Sequence, residues 1–387
     1  MKRWIVLCAV FIAVGVYIAW CILRPIPDIK PTITYIPAQQ KKVEPNINFI
    51  GDSSQSIAVG DNSLIITNGN NEIRPIASTA KIMLAILTLV KNPIIDTQNS
   101  KTIPISDADE NLYNQMLANS QSVVEVKSGI NLNEYQALQA LLLASANNIA
   151  NKLAVWGYGS EQEYAKTANE FAKNNNLTDT TFADASGFSQ ETKSTSSDML
   201  KLSILAQRYP VISEIVNQKT ADLPIAGTIY NTNTDLGING INGIKTGHTD
   251  QAGGCLLYSA HNTVDITGNI FGAQDKETAL NATPLNIDNI VNNIQTQTTL
   301  HKGQPVGFYH IPWQGNIDLL VKEDLSINTW LSEVPKTDII ASNISKSGKY
   351  NSVATSSSQI QKKSESSLVL ASNIKSPSIL WKISHPF

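Results

Sequence analysis

Ser78 and Lys81 are three positions apart at the entry to the apolar stretch KIMLAILTLV. On a helix, residues i and i+3 lie on one face, so the hydroxyl and the amine are neighbours. A serine hydroxyl becomes a good nucleophile once a base removes its proton, and a neutral lysine amine can be that base. The same positions also suit an N-cap serine beside a lysine that reaches solvent. A second Ser-x-x-Lys, Ser372 to Lys375, has no apolar helix around it.

Ser145-Ala146-Asn147 follows directly where the apolar run ALLLAS ends. A second hydroxyl at Ser145 can relay a proton between Lys81 and a leaving amine. The Asn147 amide can hydrogen-bond both the lysine and a peptide carbonyl of a substrate. Ser and Asn are also common at helix ends, so the motif alone is equally typical of a helix boundary.

Lys245-Thr246-Gly247 precedes an apolar strand-like run. Lys245 offers charge and Thr246 offers a donor for a substrate carboxylate, and Gly247 lets a ligand backbone approach closely. A second positive charge near Lys81 would also lower the pKa of that lysine and favour its action as a base. The alternative is a turn that opens a strand.

The elements that must position these three motifs read as a mixed α/β body. SQSIAVGDNSLIITNG has the pattern of a strand hairpin, and GGCLLYSA and NTVDITGNIFG are strand-like. The stretches Ser78–Val90 and Asn133–Ser145 have apolar residues at helical spacing. Each motif therefore lies at the edge of a predicted helix or strand.

The whole chain of 387 residues has 16% charged residues and a net charge of −3, which gives no basic face for nucleic acid. The uncharged run Trp4–Leu23 is long enough to span a ~30 Å hydrocarbon core, and no A-x-A cleavage motif follows it. We therefore expect residues 1–23 to be an uncleaved membrane anchor, with the rest of the chain extracytoplasmic at the cell membrane. No Cys/His spacing predicts a metal site.

Further boundaries follow from composition. Prolines predict an extended spacer over residues 24–46, and the mixed α/β pattern predicts a catalytic domain over residues 47–297. Strand-like alternation predicts a small β-domain over residues 298–387, and the Ser/Lys-rich stretch 345–367 predicts a disordered loop within it.

The ordered set Ser-x-x-Lys, Ser-x-Asn and Lys-Thr-Gly resembles the penicillin-binding proteins and serine β-lactamases. The flanking sequences RPIASTAKIM, LLLASANNIANKLA, TFADASGF and GIKTGHTDQAGGCLLYSA resemble one branch, the low-molecular-mass D-alanyl-D-alanine carboxypeptidases. This resemblance implies an α/β (α+β) fold of the β-lactamase/transpeptidase type. It would contain a five-stranded antiparallel sheet flanked by helices, with a C-terminal β-domain.

The same resemblance implies roles for individual residues. Ser78 would be the acyl-ester nucleophile, Lys81 the proton acceptor and Ser145 the proton relay. The residues implied in substrate binding are Asn147, Lys245, Thr246, Gly247 and His248, the last through its backbone N–H in an oxyanion hole. Ala146 and Asn148 depart from the family's usual glycine and aspartate beside Asn147.

The activity implied is removal of the terminal D-alanine from peptidoglycan stem peptides that end in D-Ala-D-Ala, without metal or cofactor. β-Lactams would be covalent inhibitors. Three alternatives stay open: a DD-endopeptidase that uses the same residues, a β-lactamase, and a catalytically weak wall-binding scaffold. A class A β-lactamase would need a Glu-x-x-Leu-Asn signature between Ser145 and Lys245, and the sequence has none there.

Overall fold

The structure is a computed structural model that describes residues 2–23, 25, 28–45, 47, 49, 53–61, 64–344 and 350–385. The chain forms two compact units: Pro45–Ile294, and Met1–Glu44 together with Gln295–Phe387. The α-helices are α1 (Lys2–Leu23), α2 (Lys81–Lys91), α3 (Asp107–Ala118), α4 (Glu134–Leu142), α5 (Asn147–Tyr158), α6 (Glu161–Asn174), α7 (Ser196–Ala206), α8 (Pro210–Val216), α9 (Lys276–Val291) and α10 (Ile379–Ser384).

The strands lie in both units. They are β1 (Pro31–Ile33), β2 (Ser54–Val59), β3 (Leu64–Asn68), β4 (Arg74–Pro75), β5 (Thr102–Pro104), β6 (Asn131–Asn133), β7 (Lys193–Ser194), β8 (Thr220–Leu223), β9 (Gly227–Tyr230), β10 (Ile241–Thr249), β11 (Gly253–His261), β12 (Asp265–Ala273), β13 (Ile294–Leu300), β14 (Pro305–Ile311), β15 (Gly315–Val321), β16 (Leu325–Trp330), β17 (Lys336–Ala341), β18 (Ser352–Ser357) and β19 (Ser364–Leu370).

The unit Pro45–Ile294 contains a five-stranded antiparallel sheet in the order β10-β11-β12-β2-β3. Helices α7 and α9 pack against β11 and β12. The pairs Thr246↔Leu256 and Gly247↔Cys255 fix the register of β10 on β11. This is the five-stranded antiparallel sheet that the resemblance implied, and the structure places the Lys-Thr-Gly motif on its edge strand β10.

Helix α2 is the centre of the helical part of the same unit. Its side chains Ile82, Met83 and Leu84 are fully buried, and it packs against α4, α5 and α7. A helix that is apolar nearly all round is stable only when other elements cover it. A short 3₁₀ turn, Ala77–Ala80, precedes it and carries Ser78, so the serine lies just before the α-helix that the sequence predicted to begin at this residue.

Helix α4 begins and ends at defined signals. Asn133 caps its first turn by accepting a hydrogen bond from the Gln136 N–H at 2.8 Å, and the Gln136 side chain accepts in return from the Asn133 N–H. The helix ends at Leu142, and Ser145 takes a left-handed backbone conformation with φ of 61° before α5 begins at Asn147. The chain thus turns sharply at the Ser-x-Asn motif.

The other unit contains a six-stranded sheet in the order β1-β14-β15-β19-β18-β17. Tyr309, Leu319 and Ala354 are fully buried in its core. The β region that the sequence predicted at the C-terminus is therefore present, and its first strand comes from the N-terminal part of the chain.

The segment after α1 differs from the extended spacer that its prolines predicted. Strand β1 pairs with β14 through Thr32↔Phe308. Ile29 and Lys41 form isolated bridges to Ile344 and Val334. Proline is tolerated at the start of an edge strand, so these residues complete the C-terminal sheet.

The predicted disordered loop over residues 345–367 is wrong for its second part, whereas residues 345–349 lie outside the described residues. Ser352–Ser357 and Ser364–Leu370 form strands β18 and β19. Alternate residues of β18, Ser352, Ala354 and Ser356, are buried, and the Ser356 hydroxyl lies 2.9 Å from that of Thr337. Small polar residues fill this face of the sheet with hydrogen bonds among themselves.

Helix α1 contains the apolar stretch Trp4–Leu23, which has a mean hydropathy of 2.7. Its length and composition suffice to cross a membrane, and a signal sequence meets the same criteria. Its last part contacts α10 within the same unit.

Candidate active site

The Lys81 side chain is fully buried at the start of α2. Its Nζ lies 2.7 Å from the Ser78 Oγ on the preceding turn. The spacing of three residues therefore places hydroxyl and amine in direct contact, as the sequence predicted. A buried lysine with this contact differs from the solvent-reaching lysine of the alternative interpretation.

The turn between α4 and α5 supplies two more polar groups to the same amine. The Lys81 Nζ lies 2.8 Å from the Asn147 Oδ1 and 3.4 Å from the Ser145 Oγ. Asn147 is held in place because its Nδ2 donates to the Gln121 Oε1 at 2.8 Å and its backbone N–H donates to the Ser122 carbonyl at 2.7 Å. The Ser-x-Asn motif and the Ser-x-x-Lys motif thus meet at one nitrogen atom.

The Ser186 carbonyl is a further partner of Lys81, at 3.0 Å from the Nζ. Sequence reasoning missed it because a backbone carbonyl has no residue-type signal. Its segment was noted only as part of the stretch TFADASGF.

Strand β10 brings the third motif beside the first. A Cβ placed on Gly247 would lie 2.9 Å from the backbone nitrogen of Ser78, so the two backbones are in close contact. The Thr246 hydroxyl lies 2.7 Å from that of Thr232. The Lys245 side chain is 1% exposed and its Nζ donates to the Thr246 carbonyl at 2.9 Å.

An open cleft of about 480 Å³ lies over these groups. Of the predicted residues, the structure places Ser78, Ser145, Thr246, Gly247 and His248 on its lining; further lining residues are Ser122, Thr232, Asp275, Lys276 and Glu277. Lys81, Asn147 and Lys245 are buried and do not line this cleft. No sequence pattern indicated Thr232 or Lys276, because they come from an irregular segment and a helix start outside the three motifs.

The two buried lysines have perturbed acid–base properties. Burial lowers the pKa of Lys81 well below its usual value; the charge of Lys245 lowers it further, and the Asp184 carboxylate acts in the opposite direction. Burial also lowers the pKa of Lys245 to about 7, with a further contribution from Lys276. Desolvation disfavours the charged ammonium, so the site favours a neutral amine on Lys81. A neutral amine beside a hydroxyl can accept its proton.

Residues 44–274 match the sequence profile of a peptidase family described as D-alanyl-D-alanine carboxypeptidase. The chain belongs to the D-alanyl-D-alanine carboxypeptidase family. Members of this family are serine DD-peptidases, so the match supports a serine hydrolase. The matched region contains all three motifs.

Relatives within the D-alanyl-D-alanine carboxypeptidase family have two kinds of name. A D-alanyl-D-alanine endopeptidase of Escherichia coli (strain K12) is 26% identical over 217 residues, which cover 53% of this chain and 65% of that protein. The D-alanyl-D-alanine carboxypeptidase DacF of Bacillus subtilis (strain 168) is 25% identical over 300 residues, covering 72% of this chain and 74% of that protein. The match therefore spans slightly less than two thirds of the endopeptidase.

Solved structures support the fold of the family. A variant of the Streptomyces K15 DD-transpeptidase superposes with a TM-score of 0.55 at 22% identity, covering 64% of this chain and 98% of that chain. A peptidoglycan synthesis regulatory factor from Streptococcus pneumoniae superposes with a TM-score of 0.63 at 17% identity, covering 84% of this chain and 100% of that chain. The chain thus has the penicillin-binding/transpeptidase fold that the sequence predicted.

Proposed function

We propose that this protein is a serine-type D-Ala-D-Ala carboxypeptidase that releases the terminal D-alanine from peptidoglycan stem peptides through an acyl-enzyme on Ser78. The observation that carries the proposal is the buried Lys81 amine, which contacts Ser78, Ser145 and Asn147 at once. The Ser-x-x-Lys and Ser-x-Asn motifs are remote in sequence, and their convergence on one nitrogen supports a nucleophile, a base and a relay.

The hydrogen-bond partners of Lys81 orient the base. A neutral amine has two N–H bonds and one lone pair. The Asn147 Oδ1 and the Ser186 carbonyl can only accept, and they take the two N–H bonds. The lone pair is then directed at the remaining close neighbour, the Ser78 hydroxyl, which donates its proton to it.

In the acylation step the Ser78 Oγ attacks the carbonyl carbon of the peptide bond between the two D-alanines while its proton passes to the Lys81 Nζ. The C–O bond forms and a tetrahedral oxyanion results. The proton then travels from Lys81 through the Ser145 hydroxyl to the nitrogen of the terminal D-alanine. The C–N bond breaks and D-alanine leaves. Water later attacks the ester carbonyl carbon while Lys81 accepts a proton from it, the bond from that carbon to the Ser78 Oγ breaks, and the proton returns to the Ser78 Oγ as the shortened peptide leaves.

Binding groups lie around this centre. We assign the oxyanion to the backbone N–H groups of Ser78 and His248, and the close approach of Gly247 to the Ser78 nitrogen supports this pairing. We assign the substrate carboxylate to the Thr246 hydroxyl on the cleft, with the positive charges of Lys245 behind it and Lys276 beside it. The Asn147 amide would orient the peptide.

The test is labelling of the full-length protein with fluorescent penicillin, together with release of D-alanine from a peptide ending in D-Ala-D-Ala. Ser78→Ala should abolish both. The matched control, Ser372→Ala in the other Ser-x-x-Lys, should retain both. Mass spectrometry should find the adduct on the peptide that contains Ser78, and an adduct elsewhere would refute the assignment.

Lys81→Ala tests the base separately. General-base catalysis contributes a factor of roughly 10²–10⁴, so acylation should slow by at least that much. Near-parental turnover of this variant would show that Lys81 is not the base.

A DD-endopeptidase is the second candidate, because relatives from Escherichia coli and Pseudomonas aeruginosa have that name. His248 also lines a second cleft of about 710 Å³ together with Phe188 and Asp250, which provides room for a longer, branched substrate. Cleavage of cross-linked muropeptide dimers without release of D-alanine from pentapeptides would favour this candidate.

We also propose that α1 anchors the protein in the cell membrane, with the rest of the chain extracytoplasmic. The support is the length and apolar composition of Trp4–Leu23.

A further inference from the structure

Asp184 lies in the loop between α6 and β7 and organises that loop from within. Its Oδ2 accepts hydrogen bonds from the Ser186 hydroxyl at 2.7 Å, the Phe188 N–H at 2.9 Å and the Ser186 N–H at 3.3 Å. Its Oδ1 accepts from the Thr192 hydroxyl, and Thr192 is fully buried. A carboxylate that accepts several bonds fixes the backbone around it, because each of these bonds is charge-assisted.

The loop held by Asp184 touches both halves of the catalytic pair. The Ser186 carbonyl accepts a hydrogen bond from the Lys81 Nζ at 3.0 Å. A Cβ placed on Gly187 would lie 1.9 Å from the carbonyl oxygen of Ala77, the residue before Ser78. The loop backbone therefore packs directly against the turn that carries the nucleophile.

Two charged groups shift the pKa of the Lys81 amine in opposite directions. Lys245 on β10 favours the neutral amine, and Asp184 in the loop favours the charged ammonium. Burial acts in the same direction as Lys245. The carboxylate of Asp184 is thus placed to oppose part of the effect of burial.

We propose that Asp184 is a positioning residue of this active site, which shapes the 184–188 loop around the Lys81 amine and sets the electrostatic environment of that amine. The inference rests on the proposed role of Lys81 as the base. Asp184 has two separable effects: its geometry holds the Ser186 carbonyl, and its charge raises the pH at which Lys81 loses its proton, against the larger effects of burial and Lys245. A merely structural aspartate would have the first effect only.

The experiment measures the rate of Ser78 acylation by fluorescent penicillin against pH in full-length protein. In Asp184→Asn the negative charge is lost, so the pKa of Lys81 falls and the rising limb of the profile should move to lower pH. The plateau rate should also fall, by roughly tenfold, because an amide cannot replace all the bonds that the carboxylate accepts.

Asp184→Glu separates the two effects, because it keeps the charge and changes the geometry. Its limb should stay within a few tenths of a pH unit of the parental position while its plateau falls. Glu161→Gln is the matched control: the Glu161 Oε1 accepts from the Ala185 N–H at 3.0 Å, in the same loop, and Glu161 does not contribute to the shift of Lys81. Its limb should not move.

An Asp184→Asn limb at the parental position, or an equal shift in Glu161→Gln, would overturn the inference. If Asp184→Asn fails to unfold cooperatively on heating, Asp184→Glu decides alone, and a parental plateau in that variant would refute the positioning role. A parental protein that penicillin does not acylate at Ser78 would overturn the proposed function and this inference together. If the parental protein is acylated at Ser78 but the Asp184 variants do not behave as expected, only the inference about Asp184 is overturned.

Discussion

Gly247 lies so close to Ser78 that a Cβ on the glycine would be 2.9 Å from the serine's backbone nitrogen. The same atom would lie 3.1 Å from the Cβ of Ala77. A side chain at this position would therefore push strand β10 away from the turn that carries Ser78, the proposed nucleophile. The contact couples the edge of the sheet to the start of α2.

Gly247→Ala should slow acylation by penicillin about 10- to 100-fold, since displacement of reacting groups by about 1 Å can cost that much. The measurement is the second-order rate of labelling. Gly157→Ala is the matched control, because a Cβ on Gly157 in α5 meets nothing within 4 Å. It should label at the parental rate and unfold at an equal or slightly higher temperature, since alanine is the better helix former. Equal rates for both variants would contradict the role of Gly247.

Lys245→Ala should move the acylation limb to higher pH. The proposed base is the neutral form of Lys81, so acylation should rise as pH increases through the pKa of that lysine. Lys245 is the second cause, after burial, of the lowered pKa of Lys81. Its removal lets the pKa of Lys81 rise, and each unit of rise leaves about tenfold less neutral amine on the acid side.

The control for this profile is Lys127→Ala, in an exposed Lys-Ser-Gly that lies in a turn. Its limb should coincide with that of the parent. Because the pKa of Lys245 is itself about 7, its charge is present mainly below neutral pH. The pH profiles of Lys245→Ala and the parental protein should therefore converge above about pH 8. Divergence only on the alkaline side would contradict this explanation.

Lys276→Met should raise KM for a peptide ending in a free carboxylate by about two- to fivefold, with little change in kcat. Lys276 is exposed on the cleft, and pairs between exposed charges contribute about 0.2–1 kcal/mol. A peptide with an amidated C-terminus should show no difference between variant and parent. The control is Lys166→Met, because Lys166 is an exposed lysine on α6. If this control changed KM as much as Lys276→Met does, Lys276 would not be assigned to the substrate carboxylate.

The mature protein should retain Met1 or Lys2 and fractionate with membranes, because Trp4–Leu23 can span a bilayer and no A-x-A motif follows it. N-terminal sequencing and carbonate extraction measure this directly. A sequence that begins near Arg24 would identify the segment as a removed signal.

The sequence predicted those parts of the site that depend on side-chain type and local spacing. Ser78 and Lys81 meet because a helical turn brings i and i+3 together, and the Lys-Thr-Gly strand was visible from its apolar continuation. The fold followed from the resemblance, and the apolar runs of β11 and β12 indicated strands. What the sequence did not predict depends on backbone atoms and non-local contacts: the Ser186 carbonyl, and the left-handed backbone of Ala77 and Ser145.

The wrong predictions in the other unit have a physical cause. Ser352, Ala354 and Ser356 alternate as a strand does, but their side chains are small and mostly polar, so hydropathy cannot distinguish this strand from a loop. The prolines near β1 are typical of an extended chain. Nothing local indicated that this extended segment would find its hydrogen-bond partners on β14, nearly 300 residues later.

The pairing of β1 with β14 makes the catalytic unit an insertion within another folded unit, attached through two peptide crossings, one after Glu44 and one before Gln295. A single proteolytic cut near either crossing would leave the catalytic unit covalently held through the other. The fragment before residue 44 would meanwhile stay noncovalently attached through the strand that it contributes. Release of the unit Pro45–Ile294 by cuts at its two crossings therefore requires both cuts, and a gel that shows one cleavage under denaturing conditions would still accompany retention of that unit on the rest of the chain.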